Sequence, residues 1–372
     1  MAGAAAWLEM PDGQPLRLHD WPLPQAPRGG VLIVHGLGEH AGRYVQLAQW
    51  FNARGYVVRG YDQRGHGESP GPRGVLAHPD DLLADLAVVH ADYARTLGAA
   101  PLLLGHSMGG LVALRAVLDE RVSPRALVLS SPALRSNASP GLRRLAAILA
   151  HLLPNLRLRD GLDRRHLSHD AQAMAAHRAD PLCHDRVSPR LADFIFRAGA
   201  ACLADAGRLA VPTLLLVAGD DTLVDANGSR DFAAAAAGTG QLTTRHFAGL
   251  YHELFNEAEP GLSQVLRQFS TKAFMAACLR SIRHPIYGVP DEDDPWEDRL
   301  QARIHRTPEG TLRAAFERAI ALRQTERTIF DEAHHIGYAP GGNAAAARIL
   351  DSYKCFANRT NISQCSAKVA KF

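Results

Sequence analysis

A chain of 372 residues, 47% apolar and with a net charge of +3, has room for one large α/β domain plus an extension. Its near-neutral balance gives no electrostatic case for nucleic acid as a partner. Five cysteines, odd in number and without a C-x-x-C pair, argue against a disulfide or zinc framework and for reduced thiols in the cytosol.

The opening Met1–Trp7 is small and apolar but has no basic stretch, so no signal peptide is expected. No apolar run approaches the ~20 residues that cross a bilayer. Trp7–Gly13 and Leu16–His19 predict two short strands around a turn at Asp12–Gly13. Val31–His35 is the first strand that reads as buried. It runs into a glycine-rich turn, Gly36–Tyr44, and a helix with Tyr44, Leu47, Ala48 and Phe51 on one face, stopped by Gly55. Tyr56–Asp62 is the next strand, followed by a loop rich in turn residues to Pro79. Asp80 is expected to cap a helix that carries Leu82, Leu83, Leu86, Val89 and Tyr93 on one face.

Pro101–Leu104 is a short apolar strand leading into Gly105-His106-Ser107-Met108-Gly109 and a helix-patterned run to Asp119. Strand, G-x-S-x-G and helix together predict a nucleophile elbow, with Ser107 Oγ exposed at the positive end of the helix. Ala126–Ser130 is another strand. From about 133 to 210 the chain is rich in Ala, Leu, Arg and His, reads as helical and contains no convincing strand. Strands resume at Pro212–Ala218 and Leu242–Phe247, and a helix from about Gly261 to Leu279 closes the domain. This order predicts an α/β fold: a mostly parallel sheet, helices on both faces, and a helical cap inserted over the strands' carboxyl ends.

A serine hydroxyl needs a base, and the base needs an orienting group. In this fold type the acid follows the nucleophile in the chain and the histidine follows the acid. Asp220, Asp221 and Asp225 compete for the acid in the turn after Pro212–Ala218. His252, in the loop after Leu242–Phe247, has the position of the base, whereas His246 lies within that strand and reads as structural. The tetrahedral intermediate needs donors for its oxyanion. The Met108 N–H and the Leu37 N–H are the candidates, against the alternative that His35-Gly36 is an ordinary strand end. His40, His66 and His106 read as loop or scaffold histidines.

These residues together resemble the monoacylglycerol lipase/lysophospholipase family of α/β hydrolases. The likeness is carried by His35–Tyr44, Asp62–Ser69, Gly105–Gly110, Leu152–Leu156, Ala179–Leu182, Val211–Leu216, Asp221–Asp225 and Tyr251–Leu254, across about residues 7–277. The resemblance implies a triad of Ser107, Asp221 and His252, and it is what separates Asp221 from its neighbours. It also implies oxyanion amides at Leu37 and Met108, and release of a fatty acid from a monoacylglycerol or lysophospholipid through an acyl-serine. No cofactor or metal is expected. An apolar groove in the cap suits an acyl chain, whose burial contributes about 0.8 kcal/mol per methylene. Leu142, Leu145, Ile148, Leu152 and Leu153 are candidates for it, against the reading that they pack the cap onto the sheet. Transient contact of the cap with a membrane surface is compatible with the same residues. The competing functions are a general carboxylesterase or aminopeptidase on the same triad, and a non-catalytic binding protein whose tail recruits a partner.

The hydrolase accounts for residues 1–279. Residues 280–372 form an extension: an acidic linker at Asp291–Asp298, a helix-patterned Thr311–Arg327, then Thr328–His335. This last piece weakly resembles the Walker B stretch of transposition-type AAA ATPases. No G-x-x-x-x-G-K-S/T occurs in the chain, so the phosphate cradle is missing and an inactive fragment is the expectation. His334, His335 and the two glutamate–aspartate runs have the residue types of a metal site, and a solvated surface explains them as well; the sequons at Asn358 and Asn361 matter only in a secreted context.

Overall fold

A computed structural model describes residues 6–23 and 27–270. The chain divides between residues 282 and 283, so every described residue belongs to the first unit. The acidic linker, the Thr328–His335 segment, the sequons and the end of the expected closing helix lie outside the described residues.

An eight-stranded sheet has the order β1-β2-β4-β3-β5-β6-β9-β10. The hairpin β1 (Ala6–Glu9) and β2 (Pro15–Trp21) forms one edge, with β2 antiparallel to β4 (Tyr56–Tyr61). From β4 onward every neighbour is parallel: β3 (Gly29–Val34), β5 (Leu102–His106), β6 (Ala126–Ser130), β9 (Thr213–Ala218) and β10 (Leu242–Phe247). The central strands read as unbroken apolar runs because both faces are covered. Leu32, Val34, Leu103, Leu127, Leu129, Leu215 and Val217 join a core with α2 (Asp81–Leu97), α3 (Met108–Leu118), α6 (Pro189–Ala204) and α7 (Ala226–Ala236). The alternate residues Val31, Ile33, Leu104, Val128, Leu214 and Leu216 join the other core, with α1 (Val45–Asn52) and α8 (Gly261–Arg267). The period of two along each strand divides the residues between the two faces.

The chain leaves β3 toward β4 on one side and returns through β5 on the other. The carboxyl ends of β3 and β5, in register at Val34 and Gly105, therefore flank the crevice where open α/β sheets bind ligands. At the other end of the sheet Ala218 pairs with Phe247, so the loops after β9 and β10 also emerge side by side.

Two expectations are corrected. Asp80 occupies the N-cap position of α2 but makes no capping bond. Its carboxylate takes a two-pronged bond from Arg121 at 2.6 and 3.0 Å, while Asp81 Oδ2 accepts the Ala77 and His78 amides at 2.7 and 2.9 Å. A guanidinium within reach outcompeted a single amide. The cap, expected to lack strands, joins α4 (Pro140–Leu152), α5 (Ala171–Ala179) and α6 with an antiparallel pair, β7 (Leu158–Arg159) and β8 (Arg186–Val187). Two residues per strand leave no periodicity to read. The closing helix is α8 followed by a 3₁₀ turn at Gln268–Ser270. Among the described residues no helix is long and apolar enough to cross a membrane.

Candidate active site

Ser107 stands between β5 and α3 with φ 53° and ψ −120°, a conformation that costs a non-glycine residue roughly 1–3 kcal/mol. Its surroundings hold it there. Ser107 N–H donates to Ser130 O at 2.9 Å, and its own carbonyl accepts from Leu111 and Ala133 at 3.0 and 3.1 Å. The flanking glycines are obligatory for space: a Cβ on Gly105 would lie 2.5 Å from Gly109 O, and one on Gly109 would lie 2.2 Å from Val34 O. The helix begins at Met108 directly after the serine, so its unpaired amides and positive end sit beside Ser107.

The aspartate cluster resolves into three uses. Asp225 caps α7, accepting from Asn227 N–H. Asp220 is exposed. Asp221 turns inward: Oδ2 meets His252 Nδ1 at 2.6 Å, and Oδ1 accepts the Leu223 and Val224 amides at 2.9 and 3.1 Å. The pair is almost wholly buried, with side-chain exposures of 3% for His252 and 2% for Asp221. Burial alone would raise Asp221, but the charge and hydrogen bond of His252 outweigh it and hold the carboxyl below its ordinary range. Burial would likewise lower His252, but the charge and hydrogen bond of Asp221, with the charges of Glu253 and Glu39 behind them, outweigh it, so the imidazole is raised. With Nδ1 engaged by Asp221, Nε2 is the nitrogen left to exchange a proton.

Ser107, Met108, Leu37 and His252 line one cavity of about 160 Å³, which the cap completes with residues such as Leu142, Ile195 and Phe196. The structure thus brings together all five residues singled out from sequence, with Asp221 behind His252. His40, His66 and His106 are bonded as scaffold. His40 Nε2 meets Asp180 Oδ2 at 2.8 Å, and His66 Nδ1 meets Arg64 O at 3.0 Å. His106 packs on His252 with ring centroids 4.8 Å apart, and burial, then the charge of His252, pushes it down to about 4. It is a neutral neighbour of the candidate base. His246 is in β10 and exposed.

Sequence reasoning missed the polar frame of the cavity. Glu39 Oε1 accepts from Gly36 N–H at 2.6 Å and Tyr44 O–H at 2.7 Å. Arg43 then bridges Glu39 Oε2 at 2.6 Å and both oxygens of Glu253 at 2.7 Å each. The i, i+4 spacing of Glu39 and Arg43 was a signal available in the sequence, but Glu253 lies 210 residues away. Among the described residues two groups bring ligand-type atoms within 4.8 Å of one another: His40, Asp180 and Cys183, and His19, Asp62 and Glu68. In each the histidine is already paired with the carboxylate, His40 with Asp180 at 2.8 Å and His19 with Asp62 at 3.1 Å.

The family model described as "Serine aminopeptidase, S33" matches residues 25–259. A monoacylglycerol lipase of Mycolicibacterium smegmatis is 34% identical over 65% of this chain and 87% of its own. A phospholipase of Bacillus subtilis is 32% identical over 63% of this chain and 91% of its own. Among solved structures, the monoacylglycerol lipase of Paleococcus ferrophilus superposes with a TM-score of 0.63 at 34% identity, covering 70% of this chain and 98% of that one. By its sheet, its strand–serine–helix turn and these matches, the chain belongs to the serine aminopeptidase S33 family of α/β hydrolases, the family resemblance expected from its motifs.

Proposed function

We propose that the protein is a carboxylic ester hydrolase that releases a fatty acid from a monoacylglycerol or lysophospholipid, with Ser107 as nucleophile, His252 as base and Asp221 as the acid that orients it. The observation that carries this reading is the 2.6 Å His252–Asp221 bond bordering the cavity that Ser107 also lines. The names of the relatives supply the substrate class. His252 Nε2 takes the proton from Ser107 Oγ as Oγ attacks the ester carbonyl carbon. The carbonyl oxygen becomes an anion that accepts from the Leu37 and Met108 amides. Collapse breaks the ester C–O bond, and the imidazolium returns the proton to the departing alcohol. Water, deprotonated by His252, then attacks the acyl-serine carbonyl; the acyl C–Oγ bond breaks, the imidazolium returns its proton to Ser107 Oγ, and the acid is freed. Asp221 compensates the imidazolium at each turn.

The cap supplies the route for the acyl chain. Leu142, Leu145, Ile148, Leu152 and Leu153, candidates either for packing or for a groove, are exposed at 53, 49, 57, 70 and 52%. They do not pack the cap onto the sheet. Leu142 also borders the cavity, so the apolar face of α4 runs from solvent to the mouth of the site. An amphipathic helix of this kind lies in a lipid interface, and we assign it transient contact with a membrane surface. The hydrolase comprises residues 1–279 in this reading, with 280–372 an extension of it, and works in the cytosol.

Hydrolysis of a long-chain monoacylglycerol, a lysophosphatidylcholine and a short p-nitrophenyl ester, with a fluorophosphonate label, tests the proposal. Wild type turns over the long monoacyl esters and takes the label. Ser107→Ala takes none and loses at least about 10⁴-fold in kcat. Turnover of the short ester alone removes the lipid substrate and leaves the nucleophile; an unlabelled, inactive wild type removes both.

A further inference from the structure

The frame of Glu39, Arg43 and Glu253 is a poor candidate for a stabilising device. Glu39 and Glu253 are exposed by only 4 and 5%, and two buried carboxylates share one guanidinium, Arg43, in 2.6–2.7 Å bonds. The group carries a net buried negative charge, and even a neutral buried pair is commonly no better for stability than apolar residues of the same volume. Its connections point elsewhere. Glu39 Oε1 holds the Gly36 N–H at 2.6 Å, and the next amide in the chain is that of Leu37. Gly36 itself lies against the nucleophile, since a Cβ there would come within 3.2 Å of Ser107 Cβ. At the far end, Glu253 directly follows His252, and its N–H is tied to Leu167 O of the cap at 2.8 Å. One chain of charge-assisted bonds thus runs from the turn after β3 to the loop that carries the candidate base.

We propose that Glu39 is a positioning residue: by fixing the Gly36 amide and Tyr44 hydroxyl it sets the turn that presents the Leu37 N–H to the oxyanion, and through Arg43 and Glu253 it keeps that turn in register with His252. The inference rests on the hydrolase reading above. Glu39 and Glu253 also border the cavity, but their carboxylate oxygens are taken up by Gly36, Tyr44 and Arg43, so the signature of this role lies in kcat and in transition-state affinity. A preorganised oxyanion donor is worth about 10²–10³-fold in kcat, and a misplaced one loses much of that while the ground-state ester binds as before.

Glu39→Ala removes the acceptor and the ion pair. Glu39→Gln keeps an oxygen for the Gly36 N–H and the Tyr44 hydroxyl but turns an NH2 donor toward Arg43 in place of an acceptor, so that ion pair is lost while Glu253 still holds Arg43. The expected result is a fall of about 100-fold in kcat for Glu39→Ala with KM within about threefold of wild type, and about tenfold or less for Glu39→Gln. A long-chain trifluoromethyl ketone, which forms a tetrahedral oxyanion adduct with a serine, weakens in step with kcat, whereas a non-hydrolysable monoacyl ether binds equally to all three proteins. Thermal melting checks that each variant is folded; should Glu39→Ala fail to fold, Glu39→Gln and Tyr44→Phe carry the same comparison of ketone with ether. An active wild type with unchanged kcat in the variants, or with kcat lost while ketone affinity is unchanged, overturns the positioning role alone. A wild type inert toward both long and short esters overturns the hydrolase reading, and the role with it.

Discussion

The floor and the roof of the cavity use the same residue types to opposite ends, and α3 and α4 make the contrast plain. All 11 residues of α3 are buried, because the helix lies against β5 and β6 and is flanked by α2 and α6. Of the 13 residues of α4, Ala146 is the buried one; Leu142, Leu145, Ile148 and Leu152 are exposed, and the helix packs beside α6. Each helix is rich in leucine and alanine. One is a wall that fixes Ser107 at an unfavourable φ, and the other is a face without a partner among the described residues. Hydrophobicity therefore marks what a helix prefers to touch, and the fold decides whether that is protein.

The largest effect expected of a further substitution lies in the floor. Asp221→Asn removes the charge that raises His252 and allows the wrong imidazole tautomer, so kcat is expected to fall about 10³–10⁴-fold. The pH profile sharpens the point. Wild-type kcat/KM needs neutral His252, so it rises with pH through a value above the ordinary 6.5. In Asp221→Asn burial is opposed only by the charges of Glu253 and Glu39, so the acid limb moves to lower pH, against a much lower plateau. Stability runs the other way. The depressed Asp221 contributes fully above 3.8, and the raised His252 contributes fully below 6.5. The pair thus stabilises most between those values, and part of that is lost as pH rises through the folded value of His252, where activity climbs. An acid limb that stays in place in Asp221→Asn would remove Asp221 as the cause of the raised pKa.

The floor was also the more legible part of the molecule. A strand, two glycines around a serine and a helix carry their own geometry, because only residues without a Cβ fit at Gly105 and Gly109. The order of acid and histidine after the serine located two more loops. Among Asp220, Asp221 and Asp225 the residues themselves left a choice that the family pattern made, since all three sit in one turn and differ only in where that turn points. Local rules failed where the partner was remote: Asp80 reads as a cap until Arg121 arrives from 41 residues away, and Glu39–Arg43–Glu253 joins two loops that nothing in their own sequence connects. For α4 the pattern was visible and its meaning was not, because an amphipathic stripe is the same whether it meets a sheet, a lipid or water.

In stability, the second-largest effect separates the two helices directly. Leu111 is fully buried in α3, and Leu111→Ala is expected to cost about 2–5 kcal/mol. Urea titration reads this as a lower midpoint at unchanged slope. A loss below about 1 kcal/mol would mean that the cap and sheet collapse around the gap and that α3 is less rigid a wall than its burial implies.

The smallest effect on folding is expected in α4, and it is the one that tests what the roof is for. Leu145 and Ile148 are exposed by 49 and 57%, so each loses little buried area when replaced by serine. Leu145→Ser with Ile148→Ser should leave the urea midpoint within about 0.5 kcal/mol of wild type, the scale of surface changes. Hydrolysis of a short soluble ester should change little, because Leu142, not these two, borders the cavity. Flotation with phosphatidylcholine vesicles should fall by about tenfold per residue, as half of an aliphatic side chain no longer leaves water, at ~25 cal/mol per Å² of apolar surface. Unchanged flotation together with unchanged stability would leave α4 with neither a protein nor a lipid partner. A loss of stability approaching that of Leu111→Ala would instead mean that α4 is held against protein in solution, and the contrast between floor and roof would reduce to one of degree.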